Sequence, residues 1–520
     1  MARTRTTGNR WLVGSGGILA ATAVLVATAA PAQAGPAPRG TVQVSVGFNG
    51  AVPDSQSWSQ GVSADGRYAL FTSWATNLVS QPAKSARDAY VRDLRTGRTE
   101  RVNLSDDGNA LDGFTDYVAI NADGRYVAFD SEAADVVAGK QVQGRDEVYV
   151  RDRWTGRTEL VSGGLTSTDT DRFHGSYAPS ISANGRYVAF TSSRTDLVPD
   201  LQGGDPSLSR PYTWDYNIYV TDRWSGKTRL VTRGVDGKPG DGMSLNPTIS
   251  ADGRTVGFTS LAGNLLPAGQ TPALAAPAAG AAAPADVELA PGIAPAVPRS
   301  VREGVAQPSL ARPTTGAYYT YDVGSGRISA ASLDLDGNLG YASFDATISP
   351  DGRRAIYALP EPGGSTHGHR YHTVLYVRDL GKGTVTKISG GLPGTSSVGS
   401  SDHGRITADN RWVYFSSAAD NLVAGPQHPD WDVYRHDLRT GRTERVATAP
   451  DGSLGNGSSI DPSVDARGET VVFGSTSGNL AAGTGGPATA DNQVFARTAG
   501  HHGGGHDHGG HDDQGGHDDD

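Results

Sequence analysis

One phrase recurs seven times along the chain, and a chain written that way has few folds open to it. Its fullest form is Asn121-Ala-Asp-Gly-Arg-Tyr-Val-Ala-Phe-Asp-Ser131, with relatives at 63–73, 182–192, 250–260, 349–357, 407–417 and 465–475. The copies lie about sixty residues apart, so a length that could hold several domains points instead to one repeating assembly. In each unit a short strand ends in Ile or Val, and the Asp-Gly that follows predicts a two-residue hairpin with positive backbone angles. The chain returns as an Arg-Tyr-Val-Ala-Phe strand. A third strand closes on Asp93, Asp152, Asp222, Asp322, Asp379 or Asp437, and a Gly-containing turn leads to a fourth. Those aspartates are expected to accept turn amides. Four short antiparallel strands rich in Val, Tyr, Phe and Thr make a propeller blade. The predicted fold is all-β: a seven-bladed β-propeller of four-stranded antiparallel blades.

The two ends of the array complement one another. The seventh unit runs out after Val494-Phe495 with no fourth strand, whereas Thr41-Val-Gln-Val44 reads like the fourth strands Thr99-Glu-Arg-Val102 and Thr443-Glu-Arg-Val446. The segment Thr41 to Val46 is therefore predicted to pair with the strand around Val494 to Arg497. That pairing closes the ring and removes an exposed edge.

Residues 1–34 read as a signal peptide, with Arg3, Arg5 and Arg10 ahead of an apolar run and Ala32-Gln33-Ala34 as the cleavage signal. No other stretch is apolar enough to cross a bilayer. The expectation is a secreted or cell-envelope protein, monomeric and without a transmembrane anchor. With no cysteine there is no disulfide framework and no thiolate chemistry, so packing must supply the stability. The propeller occupies 35–498. Within it, 268–313 is an Ala/Pro-rich insertion in blade 4 whose composition cannot bury a core, and 499–520 is a His, Asp and Gly tail; both are expected to be disordered. The formal charge is −10 and Lys and Arg do not cluster, which speaks against nucleic acid.

The phrases Ser-Ala-Asp-Gly-Arg-Tyr-Val-Ala-Phe and Asp-x-Tyr-Val-Arg-Asp-x-x-Thr-Gly resemble the WD40-like propeller repeats of the TolB family, over about residues 41 to 497. The resemblance implies an exported propeller that binds partners of the cell envelope. TolB proteins carry an α/β domain ahead of the propeller, and about six residues separate the signal from the first strand here.

Long, variable loops between second and third strands and between blades mark one face of the disc as the binding face. They include 199–214, the blade 4 insertion and 361–372. Aligning the first strands puts Ser59, Tyr117, Ala178, Asn246, Asp345, His403 and Asp461 at equivalent positions, where they should ring the channel mouth. Such a mixture suits a polar ligand. His174, His367, His369 and His372, with His403, belong to the same face and could converge on a divalent metal. Asp334-Leu-Asp336-Gly337-Asn338 looks like the start of a calcium loop, but it lacks the closing glutamate, and its relatives at Asp107, Asp236 and Asp451 mark a recurring turn. Trp154 and Trp224, in the same hairpin of adjacent blades, are expected to pack against a neighbouring hairpin. In the tail, His501, His502, His506, His508, His511 and His517 stand among aspartates, a combination able to hold Zn, Ni or Cu. Motifs for a nucleophile elbow, a zinc protease helix, a P-loop or a dinucleotide fold are not found. The function expected is non-catalytic binding of an extracellular or envelope protein or glycan through the loop-rich face. The alternative is a metal-assisted polysaccharide lyase or hydrolase working at the channel mouth.

Overall fold

Each copy of the repeated phrase becomes the second strand of a blade, and it is buried on both faces because every blade is packed between two others. In 126–131 all residues after the first are buried. The computed structural model describes residues 40–498 apart from 139–144, 165–174, 195, 200–215, 269–314, 344, 363–370, 397, 429, 483–485, 487–488 and 490. The expected signal peptide, the six tail histidines, His174, His367, His369 and all but residue 268 of the expected insertion lie outside the described residues.

Seven antiparallel sheets form the disc. Blade 1 is built from strands 57–62, 68–73, 88–93 and 99–101. Blade 6 repeats that order with 401–406, 412–417, 432–437 and 442–445. Blade 7 supplies 459–464, 470–475 and 493–498, and its fourth strand is Gly40–Gln43 from the other end of the chain. The register runs from Gly40 opposite Thr498 to Gln43 opposite Phe495. Beyond it, the N–H groups of Val44 and Ser45 both reach the Val494 carbonyl. The predicted closure is therefore present, with the pairing beginning one residue earlier than the sequence suggested.

Side chains mark the Gly40–Gln43 strand as a true fourth strand. In blades 1 to 5 a third-strand amide donates to a side-chain oxygen just past the fourth strand: Ala89 to Asn103, Val148 to Ser162, Ile218 to Thr232, Tyr318 to Ser332 and Leu375 to Ser389. In blade 7 the Val494 N–H donates to Ser45 Oγ at 2.9 Å. Every blade also stacks an aromatic pair between its second and third strands, from Phe71 on Tyr90 at 5.6 Å to Phe473 on Phe495 at 6.2 Å. Burying one such ring contributes about 1.5–3 kcal/mol. Fourteen of them account for much of what a cysteine-free ring needs.

The Asp-Gly hairpins differ from the two-residue form the sequence predicted. In blade 1 the chain reverses over Ser63–Arg67, the Gly66 N–H donates to the Ser63 carbonyl, and Gly66 alone of these takes a positive φ, at 71°. The longer turn turns the second residue's amide outward, toward the next blade. Ala64 donates to the Ala122 carbonyl, Ala122 to Ala183, Ala183 to Ala251, Ala251 to Pro350, Ala408 to Ala466 and Ala466 back to Ala64, at 2.7–3.2 Å. These six bonds stitch the turn face at six of its seven junctions. Among the described residues no helix is long and apolar enough to cross a membrane.

Candidate functional site

The residues expected at the channel mouth sit on a fault repeated in the first strands. Where strand one pairs with strand two, the register slips between Tyr177 and Ser180, Leu245 and Thr248, Asp402 and Arg405, and Ile460 and Ser463. The residue inside each bulge is one of the aligned positions, held in the left-handed region: Ala178 at φ 51°, Asn246 at 51°, His403 at 57° and Asp461 at 55°. Non-glycine residues adopt this conformation at a cost of roughly 1–2 kcal/mol. The surroundings enforce it by capturing the bulged amide. Ala178 N–H donates to Asp130 Oδ2 of the preceding blade at 3.3 Å, Asp461 N–H to Ser416 Oγ at 3.1 Å, and His403 N–H to Asp345 Oδ2.

Three of the aligned residues therefore meet across blades 5, 6 and 7. His403 takes its amide partner from Asp345 and places Nε2 2.9 Å from Asp461 Oδ1. Burial alone would push the imidazole down, but the carboxylates of Asp461 and Asp345 outweigh it and hold the His403 pKa up at about 9. Asp402, fully buried, adds a further negative charge nearby. Blades 2 to 4 instead bring rings together: Tyr117 lies 6.4 Å from Tyr177, which meets Tyr216 edge-on at 5.4 Å, with Met243 packed alongside and Tyr177 and Tyr216 buried. Ser59 takes a quieter place, buried with its hydroxyl on the Val472 carbonyl at 3.4 Å. Asn246 lies in its bulge in blade 4.

Sequence reasoning missed the supports of these residues. Asp130 holds the amides of Asp116 and Tyr117 on one oxygen and that of Ala178 on the other, while burial pushes its pKa up to about 7. The signal was available, because Asp130 is the one carboxylate at a position where the sibling phrases carry Thr, Ser, Ala or Gly. A second missed signal is a serine sixteen residues ahead of the serine closing strand two. It joins the first two strands at 2.8–2.9 Å in five blades, as in Ser57 with Ser73.

No group of three metal-ligating side chains among the described residues is arranged to hold an ion. The loop expected over 361–372 is partly sheet: its flanking strands continue to Pro362 and from Tyr371, paired with each other, and place His372 inside blade 5, 4% exposed. The calcium-like loop at Asp334 is a turn, its carboxylate engaged by the amides of Asp336 and Asn338 at 2.9 and 2.8 Å.

On the opposite face the strand-closing aspartates do accept turn amides, as Asp152 does from Trp154. They also receive a guanidinium from the Asp-Gly-Arg turn, in the pairs Arg67–Asp93, Arg125–Asp152, Arg186–Asp222 and Arg411–Asp437 at 2.6–2.9 Å. Trp154 and Trp224 meet the neighbouring turn of their own blade through one cation each and are otherwise open. They are 64% and 68% exposed, with Arg125 over one ring at 4.9 Å and Arg186 over the other at 4.7 Å. The salt bridges to Asp152 and Asp222 hold those arginines beside the indoles.

The sequence matches no family model and no curated protein. Among solved structures it is similar to the β-propeller domain of the trilobed protease from Pyrococcus furiosus, at 13% identity over 85% of this chain and 93% of that one, with a TM-score of 0.43. It is also similar to TolB from Acinetobacter baumannii, at 14% identity over 84% and 81% of the two chains and a TM-score of 0.33. A third likeness is to a prolyl endopeptidase, of which it covers 50%, at 12% identity over 86% of this chain and a TM-score of 0.44.

Proposed function

We propose that the protein is an exported, non-catalytic binding module whose loop-bearing face takes a protein or glycan of the cell envelope or its surroundings. The observation that carries this reading is the pairing of His403, whose Nε2 lies 2.9 Å from Asp461 Oδ1 and whose amide is taken by Asp345. Those carboxylates hold the imidazole pKa up at about 9, so at neutral pH it is a hydrogen-bond donor. What it offers, between Asp345 and Asp461, is a fixed donor and acceptor pattern, and Tyr117, Tyr177 and Tyr216 add a cluster of rings. Rings beside charged groups at a channel mouth suit recognition of a ligand with both polar and apolar surface. The test is binding of the full chain to an envelope fraction and a glycan panel, with Tyr117→Ala and His403→Asn as comparators. Loss of a specific partner in both variants is expected. Retention by both, or turnover of a polysaccharide that both variants abolish, would overturn the reading.

The tail adds a separate activity in this proposal, capture of Zn, Ni or Cu by His501, His502, His506, His508, His511 and His517. Zinc calorimetry on the full chain and on one ending at Gly500 tests it. Heat confined to the full chain is expected, and equal heats would remove the tail from consideration.

A further inference from the structure

The turn face lacks its inter-blade backbone bond at one seam. Between blades 5 and 6 the sequence departs from blades 1 to 3 at three linked positions, Pro350, Arg354 and Asn410. Pro350 replaces the alanine that donates to the next blade, so the inter-blade bond found at six other junctions has no donor here. Arg354 stands where blades 1, 2, 3 and 6 carry Tyr68, Tyr126, Tyr187 and Trp412 and blades 4 and 7 carry Thr255 and Thr470, and the three tyrosine rings lie against the turn glycine of the following blade. That glycine is replaced by Asn410, which keeps a left-handed φ of 59°. Arg353, whose counterparts in blades 1, 2, 3 and 6 grip the strand-closing aspartate, makes no such pair with Asp379.

The missing ring leaves an open cleft of about 460 Å3 lined by Asp351, Arg353, Arg354, Asp379, Lys382 and Asn410. Its size falls in the range of ligand clefts, about 300–1,000 Å3. The two carboxylates are already engaged. Asp351 accepts from the Ser349 hydroxyl, the Arg353 amide and Asn410 Nδ2 at 2.7 Å, and Asp379 accepts the amides of Gly381 and Lys382. The three cations make no side-chain hydrogen bond or ion pair among the described residues. Asp351 fixes the Asn410 amide with nitrogen toward the carboxylate, and Asn410 Oδ1, buried, is left without a partner. Three cations against two carboxylates give a local positive surplus on a chain whose formal charge is −10.

We propose that this cleft binds an anionic sugar. Its carboxylate lies against Arg353, Arg354 and Lys382, and its hydroxyls donate to the remaining lone pairs of Asp351 and Asp379. A bare inorganic anion answers the cations but meets the carboxylates with repulsion. A neutral sugar answers the acceptors alone. Only a ligand with both kinds of group satisfies the whole lining.

Calorimetry on the full chain with digalacturonate, lactose and inorganic phosphate tests this. Digalacturonate should bind, weaken as salt is raised, and lose at least tenfold in affinity in Arg354→Gln, which removes the charge and keeps a flexible chain beside Asn410, where a tyrosine ring would meet the asparagine Cβ. Lactose and phosphate should each bind more than tenfold more weakly than digalacturonate. No digalacturonate binding, equal binding by Arg354→Gln, or phosphate binding as tight as digalacturonate would each overturn the proposal. His403→Asn should leave digalacturonate binding unchanged, so failure of the loop-face reading and failure of this one are separable.

Discussion

His403 sits in a left-handed bulge with its ring against Asp461, and the fold sets its charge. Its pKa of about 9 lies above the ordinary 6.5 of an unfolded chain. The stabilisation it lends is therefore complete below pH 6.5 and lost as pH rises through 9, on the order of 3 kcal/mol by linkage. Asp130 and Asp432, both pushed up by burial to about 7, shed their own contributions earlier, between pH 4 and 7. Burial raises Asp146 as well, so the share of His403 between pH 7 and 9 is read from a difference between proteins. Urea unfolding should show the wild type losing more stability across that span than His403→Asn, an asparagine as in blade 4 at Asn246; parallel curves would refute the pairing. On the acid side the sign reverses. The Arg186 guanidinium holds Asp222 at about 2, and Arg411 does the same for Asp437. Their contribution is present above pH 4 and disappears as pH falls to 2. Asp222→Asn should flatten that part of the acid limb, and a limb of unchanged steepness would show the pair to be a surface ornament.

At the scale of the element, the Gly40–Gln43 strand and the residues behind it are held by parts of different weight. Ser45 accepts the Val494 amide and donates to Gln493 at 2.7 Å, so Ser45→Ala should cost about 1 kcal/mol, measured as a shift in denaturant midpoint. Deleting 35–48 removes this link, the backbone ladder and Val44, which is fully buried among Phe71, Leu78 and Val494. That deletion should lower the melting temperature far more than Ser45→Ala and leave the 493–498 strand as a bare edge prone to association. Comparable melts for the two variants would mean the edge is covered in another way. The closure was legible in the sequence because a missing strand at one end and a spare one at the other are facts of counting. The equivalence of Ala178, Asn246, His403 and Asp461 was legible for the same reason, since a repeat registers matching residues. Their bulges were not. A register slip leaves no mark in the alternation of side chains when both faces of a blade are buried, and Asp130, which helps enforce one, reads as an ordinary substitution in a strand. The Asp-Gly hairpin was misread because that dipeptide fits two turn lengths. The choice between them is made by the neighbouring blade, which needs the Ala64 amide turned outward.

For the molecule as a whole, the decisive question is whether seven similar blades behave as one cooperative body. Hydrogen bonds between successive turns, Ala64 to Ala122 and onward, couple each blade to the next, and the chain ends are locked together in blade 7. Such a ring opens where a link is missing, and Pro350 removes the one between blades 5 and 6. Asn410 Nδ2 on Asp351 spans the gap with a side chain in place of the backbone bond. Blade 5 is also the sheet whose first strand is divided: Thr347–Ile348 pairs within the blade, while Ala342–Ser343 pairs with the third strand of blade 4. Hydrogen exchange should therefore be faster in the 407–412 turn than in its counterparts 121–126 and 182–187, through local opening well below the global unfolding free energy. Pro350→Ala supplies the seventh donor. It gains a hydrogen bond of about 1 kcal/mol and gives back roughly 0.4–1 kcal/mol by freeing the unfolded chain, so global stability should hardly move. Exchange at 407–412 should nevertheless slow toward that of the sibling turns, because the bond acts at the seam alone. Uniform protection around the wild-type ring, or no local change in the variant, would show that side-chain packing and not the chain of turn amides couples the blades.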